Sequence, residues 1–143
     1  MNMQSQPAAD PAAPPATDAG LLQQALADTP EYITHIRGLF ESCAENLRDG
    51  DDRQAMMALA RAADDLHQFT LLVGLMVDAA EGMELPDTQR FRDALDVCIK
   101  GIQEALVADD LISVSDQIDS DLLPLLPTWN QAIAELSASF AQA

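Results

Sequence analysis

Lys100 is the only lysine in this chain, and no basic residue follows it. Glu104, Asp109, Asp110, Asp116, Asp119, Asp121 and Glu135 do follow, and they contribute to a net charge of −17. Such a surface repels nucleic acid and anionic lipid, whose non-specific attraction needs Lys and Arg. Glycine is scarce too. The six present form neither a glycine-rich loop ahead of a helix nor a Gly-x-Ser-x-Gly elbow, which leaves no phosphate cradle or serine nucleophile to build on. Long apolar runs are missing. The longest, Phe69 to Val77, includes Thr70 and Gly74 and stops at Asp78, well short of a membrane span. No positively charged start leads into an apolar stretch, so no secretory signal is expected and a cytoplasmic location is. The two cysteines, Cys43 and Cys98, lack Cys-x-x-Cys spacing. Each falls at an apolar helical position, as two buried thiols would in a reducing compartment; a single disulfide is the alternative.

What the chain has is helical periodicity. With 48% apolar residues in 143, it can bury one real core despite its charge. Residues 1–17 read as a disordered Pro/Ala-rich tail, since Pro7, Pro11, Pro14 and Pro15 deny it a continuous helix. Residues 18–143 read as a single helical-bundle domain. A short extra helix is expected first, with Leu21, Leu22, Ala25 and Leu26 on one side. The first long helix then begins at Thr29 as N-cap with Pro30 in the first turn. Its stripe is Tyr32, Ile33, Ile36, Leu39, Phe40, Cys43 and Leu47, and Gly50 ends it. Asp51 or Asp52 caps a second helix with Met56, Leu59, Ala63, Leu66, Thr70, Val73, Val77 and Ala80 at bundle-seam spacing. A third starts at Asp87 or Thr88 and turns Phe91, Leu95, Cys98, Ile102, Ala105 and Leu106 inward.

The last segment, from Asp110 to about Phe140, keeps one stripe through Pro124 and Pro127: Leu111, Ser115, Ile118, Leu122, Leu125, Trp129, Ile133, Leu136 and Phe140. That phase predicts one proline-kinked helix, with a break at Leu123 as the alternative. Short connections make the fold class all-α, an up-down antiparallel four-helix bundle. On this reading the four helices are roughly 30, 45, 31 and 48 Å long. The mismatch leaves Trp129, Ile133, Leu136 and Phe140 short of partners. These four are therefore the expected partner-binding residues, covered either by the short N-terminal helix or by a second subunit.

Other candidate chemistry centres on the histidines. Asp64 and His67 are three apart, as in carboxylate-bridged di-iron bundles, and His35 falls at the height of His67 if the first two helices pair. That metal pattern needs the motif twice, with carboxylates from the other helices. Only one copy is present, so no metal and no cofactor are expected. The bundle and its His67, the one histidine on the second helix, also resemble a histidine-phosphotransfer domain. That family has Lys and Gly three and four residues after its histidine, where this chain has Thr70 and Leu71. The resemblance implies His67 as phospho-acceptor. The methionines Met56, Met57, Met76 and Met83 could line a peptide groove or simply fill the core.

Leu95, Ile99, Leu106, Ala108, Asp109–Asp110 and Trp129 form a Leu-rich helix, an acidic turn and a helix reaching a tryptophan. In this the chain is similar to flagellin-type export chaperones, which implies a chaperone-like binding protein; the tyrosines that family would carry are absent apart from Tyr32. The primary expectation is a non-enzymatic module acting through protein–protein contact, by self-association (a homodimer) or by capture of a partner helix. The chaperone and phosphotransfer readings are its alternatives.

Overall fold

The computed structural model describes residues 17–142, and the expected tail lies outside the described residues but for Thr17. Among the described residues there is no strand, and the chain is an all-α bundle. Its elements are α1 (Thr17–Arg48), α2 (Asp52–Ala79), α3 (Pro86–Val107) and a re-pitched last segment. That segment runs through α4 (Leu111–Gln117), a π turn (Ile118–Leu122), the single turn α5 (Leu123–Leu125), a 3₁₀ turn (Leu126–Thr128) and α6 (Trp129–Gln142). No helix among the described residues is long and apolar enough to cross a membrane.

The separate N-terminal helix is not observed. α1 is continuous for 32 residues with Pro30 inside it. Proline there removes the N–H that would bond the Leu26 carbonyl and crowds that same carbonyl. The helix survives because the buried Thr29 hydroxyl donates to the Leu26 carbonyl at 2.7 Å. Thr-Pro is a helix-start signature only when the preceding turn has nothing else to hold it.

Two of the turns share one construction. After α1, Gly50 adopts a left-handed φ of 83° and the Asp51 N–H returns to the Asn46 carbonyl at 2.8 Å. After α3, Asp109 takes the left-handed position (φ 56°) and the Asp110 N–H returns to Ala105 at 2.8 Å. These six-to-one bonds satisfy the last carbonyls of each helix. Asp51 and Asp110 then cap the next helix, accepting from the backbone N–H of Gln54 and Ser113. The connections are therefore short, as the sequence indicates.

α3 departs from its expected start. It begins at Pro86 behind Leu85, which has no side-chain oxygen to cap with. Glu135, on α6, supplies the cap: its two carboxylate oxygens accept from the N–H groups of Asp87 and Thr88, both at 2.9 Å. Burial pushes the Glu135 carboxyl up, but the two N–H bonds and Arg90 outweigh it and hold it below the usual range. The Thr88 hydroxyl itself is buried without a hydrogen-bond partner. A depressed carboxyl stabilises the fold above the ordinary glutamate range and loses that contribution as pH falls through the folded value. Glu135→Gln should therefore cost about 1–2 kcal/mol at neutral pH. In urea titrations the gap between the two proteins should close on acidification; a gap constant with pH would disprove the charged cap.

The last segment stays helical through both prolines by changing pitch. The Leu123 N–H bonds the Ile118 carbonyl five residues back, which widens the turn ahead of Pro124. After Pro127 the Trp129 N–H bonds Leu126, three residues back, while the Thr128 hydroxyl takes the Leu125 carbonyl at 2.6 Å. Ile118, Leu122, Leu126 and Trp129 are all buried as a result. Leu126 thus replaces the expected Leu125 at the centre of the stripe.

α2 is rotated from the expected face. Ala55, Leu59, Ala62, Leu66, Phe69, Val73, Met76 and Ala80 are buried, so Ala62 and Phe69 point inward where Ala63 and Thr70 were expected. Phe69 is the hub of an aromatic cluster, edge-on to Tyr32, Phe91 and Trp129 at centroid distances of 6.1, 6.3 and 5.0 Å. Cys43 and Cys98 are free and buried. Burial pushes the Cys43 thiol up to about 11, leaving almost no thiolate at neutral pH.

Candidate interaction groove between α2 and α3

The four residues expected at the partner surface lie against the rest of this chain. Trp129, Leu136 and Phe140 are buried and Ile133 is half-buried. The cause is the length of α1. At 32 residues it spans about 48 Å rather than 30. Its N-terminal turns reach the end of the bundle where α6 lies, with Leu26 buried, Leu22 half-buried and Leu21 left exposed. The Trp129 indole N–H donates to the Thr29 hydroxyl at 2.8 Å, which ties α6 to the very turn that Pro30 disturbs.

An opening appears elsewhere. α1 packs along α2, while α3 packs on α4 and α6. α2 and α3 have few close approaches, so an apolar groove runs between them. Phe40 from α1 and Leu122 from the π turn line it from below. Leu59, Ala63 and Leu66 on α2 face Ile99, Ile102 and Leu106 on α3, around a hollow of about 240 Å³. His67, Thr70 and Gln103 supply its polar groups. Thr70 also lines a smaller hollow of about 80 Å³ with Phe69, Val73, Phe91, Arg92, Leu95 and Asp96, so the two belong to one groove.

The chemistry of the groove is limited. No lysine or arginine lines the larger hollow. The Thr70 hydroxyl donates to the His67 carbonyl at 2.7 Å and is thereby occupied. His67 is exposed. His35 does not converge with it: its Nε2 lies 3.0 Å from Asp65 Oδ2, and the Tyr32 hydroxyl donates to the Asp65 carbonyl in the same place. Among the described residues no three His, Cys, Asp or Glu side chains come together as a metal site would require. Met57 and Met83 are exposed away from the groove, whereas Met76 fills the core.

The α2 sequence holds a signal for this groove. Besides its buried stripe the helix carries Ala63, Leu71, Leu72 and Leu75, more apolar surface than α1 alone can cover. Leu71 and Leu75 are 52% and 61% exposed, one turn and two turns beyond His67. The chain matches no protein-family model, no curated protein and no solved structure, so the functional reading rests on this geometry.

Proposed function

We propose that the protein is a non-enzymatic binding module that holds an apolar helix face against α2 and α3. The observation that carries this reading is the groove itself, aliphatic along its walls and wide enough for one or two large side chains. A helix laid in such a groove offers anchors at i, i+3, i+4 and i+7. In the export-chaperone form of the reading, that helix belongs to a secreted substrate. The acidic surface argues against nucleic acid or anionic membrane as the partner, and two buried free thiols suit a reducing compartment such as the cytoplasm.

A synthetic amphipathic helix with leucines at those spacings should shift amide resonances of residues 59–73 and 92–106. Ala63→Phe, at an exposed position on the groove wall, should fill the groove and remove the effect. Shifts confined to residues 111–142, or none, would reject the reading. One observation favours phosphotransfer as a second reading: His67 is exposed, as a phospho-acceptor must be. Incubation with phosphoramidate followed by phosphorus NMR tests it, and a spectrum unchanged by His67→Gln rules it out.

A further inference from the structure

The charge of this chain is unevenly placed, and that bears on what lies against α2 and α3. Five of its seven basic residues, Arg53, Arg61, Arg90, Arg92 and Lys100, are on these two helices, beside eight acids. Residues 111–142 carry four acids and no base. A basic partner would be drawn to that last segment rather than to the groove. The α2–α3 face has both signs at its rim, Arg92 with Asp96, and from Gln68 to Val77 α2 has no charged residue. Mixed signs around an uncharged apolar strip are self-complementary, which is what a two-fold contact between identical surfaces requires. For a molecule of net charge −17, a copy also meets less repulsion on the uncharged stretch from Gln68 to Val77 than on residues 111–142.

We infer that a second copy of this chain covers this face, with the two α2 helices crossing antiparallel at Gly74. That register sets Leu71 of one protomer level with Val77 of its partner and Leu75 level with Val73, so both exposed leucines lie within one turn of the crossing. Gly74 has open space where a Cβ would be and no side chain of its own, which leaves room for a second backbone at the crossing. His67 is one turn before Leu71, so the crossing helix also roofs the groove. The inference rests on reading the α2–α3 face as the interaction surface, and it names the captured helix as α2 of the second copy.

Sedimentation velocity across the micromolar to millimolar range tests it. The wild-type protein should dimerise with concentration, and more tightly at high salt, because screening weakens the repulsion between two acidic copies. Leu71→Asp with Leu75→Asp, both at exposed positions, should leave the helical circular dichroism unchanged and abolish the dimer. Gly74→Cys should cross-link into a disulfide dimer under mild oxidation, while the buried Cys43 and Cys98 stay free. A wild-type monomer at every concentration and salt overturns the inference, as does a dimer that survives the double substitution or fails to cross-link at position 74. If that monomer still binds the synthetic leucine helix in an Ala63→Phe-sensitive way, the groove reading stands without self-association. If it binds neither, both fall.

Discussion

Trp129→Ala should lower the free energy of unfolding by about 3–5 kcal/mol, the range for deleting a large buried aromatic side chain. Trp129 is 1% exposed. Its ring meets Phe69 edge-on at 5.0 Å and Phe91 at 5.2 Å, so its removal leaves a void that two stiff rings cannot easily fill. The indole N–H bond to Thr29 goes with it. Against a typical domain stability of about 5–15 kcal/mol, the variant should remain folded at low temperature and melt well below the wild type. Urea unfolding followed by far-UV circular dichroism measures the loss. Because Trp129 is far from solvent, the self-association proposed through Leu71 and Leu75 should persist wherever the variant is folded. A stability loss below about 1 kcal/mol would contradict the core position, since interface anchors lose affinity rather than stability.

The fold class was legible because helical periodicity is a local property. The stripes of α1 and α3 bury the expected Ile33, Ile36, Phe40, Cys43, Phe91, Leu95, Cys98 and Ile102. Asp51, Asp110 and Gly50 also stand where capping rules put them. What failed depended on distant contacts. Thr29–Pro30 has the same local signature whether it starts a helix or sits inside one, and the decisive partner, Trp129, is 100 residues away. Taken as a start, Thr29–Pro30 shortens α1 and leaves the face of α6 without a cover. The cap of α3 was illegible for the same reason, as Glu135 is 47 residues from Thr88.

The groove was half visible. The spacing places Ala63, Leu66 and Thr70 on one stripe of α2, but the buried face is turned by about one residue, which brings Ala62 and Phe69 inward. A helix with two adjacent apolar faces satisfies two seam patterns equally well, and periodicity cannot choose between them. The aromatic cluster makes the choice. Phe69 is drawn to Trp129 and Phe91, which commits α2 to that rotation and leaves Ala63 and Thr70 facing the gap toward α3. The residues that open the groove are thus set by the same contacts that close the core.

Thr29→Val should cost about 2–6 kcal/mol, since it strands two buried polar groups at about 1–3 kcal/mol each while keeping the shape of the side chain. The hydroxyl of Thr29 donates to the Leu26 carbonyl, orphaned by Pro30, and accepts from the Trp129 indole. Thr29 itself is 1% exposed, so water cannot replace either bond without opening the bundle. Two second-site changes separate these contributions. Pro30→Ala restores an N–H able to reach the Leu26 carbonyl and should recover part of the loss in the Thr29→Val background. Trp129→Phe removes the indole donor, so Thr29→Val should cost less in that background than in the wild type, and the coupling in the double-mutant cycle should be about 1–3 kcal/mol. Thr29→Ser retains the hydroxyl and should keep most of the stability. If Thr29→Val melts like the wild type, or if its cost is the same with Trp129 and with Phe at that position, the hydroxyl does not hold α1 and α6 together. The continuity of α1 through Pro30 would then need another cause.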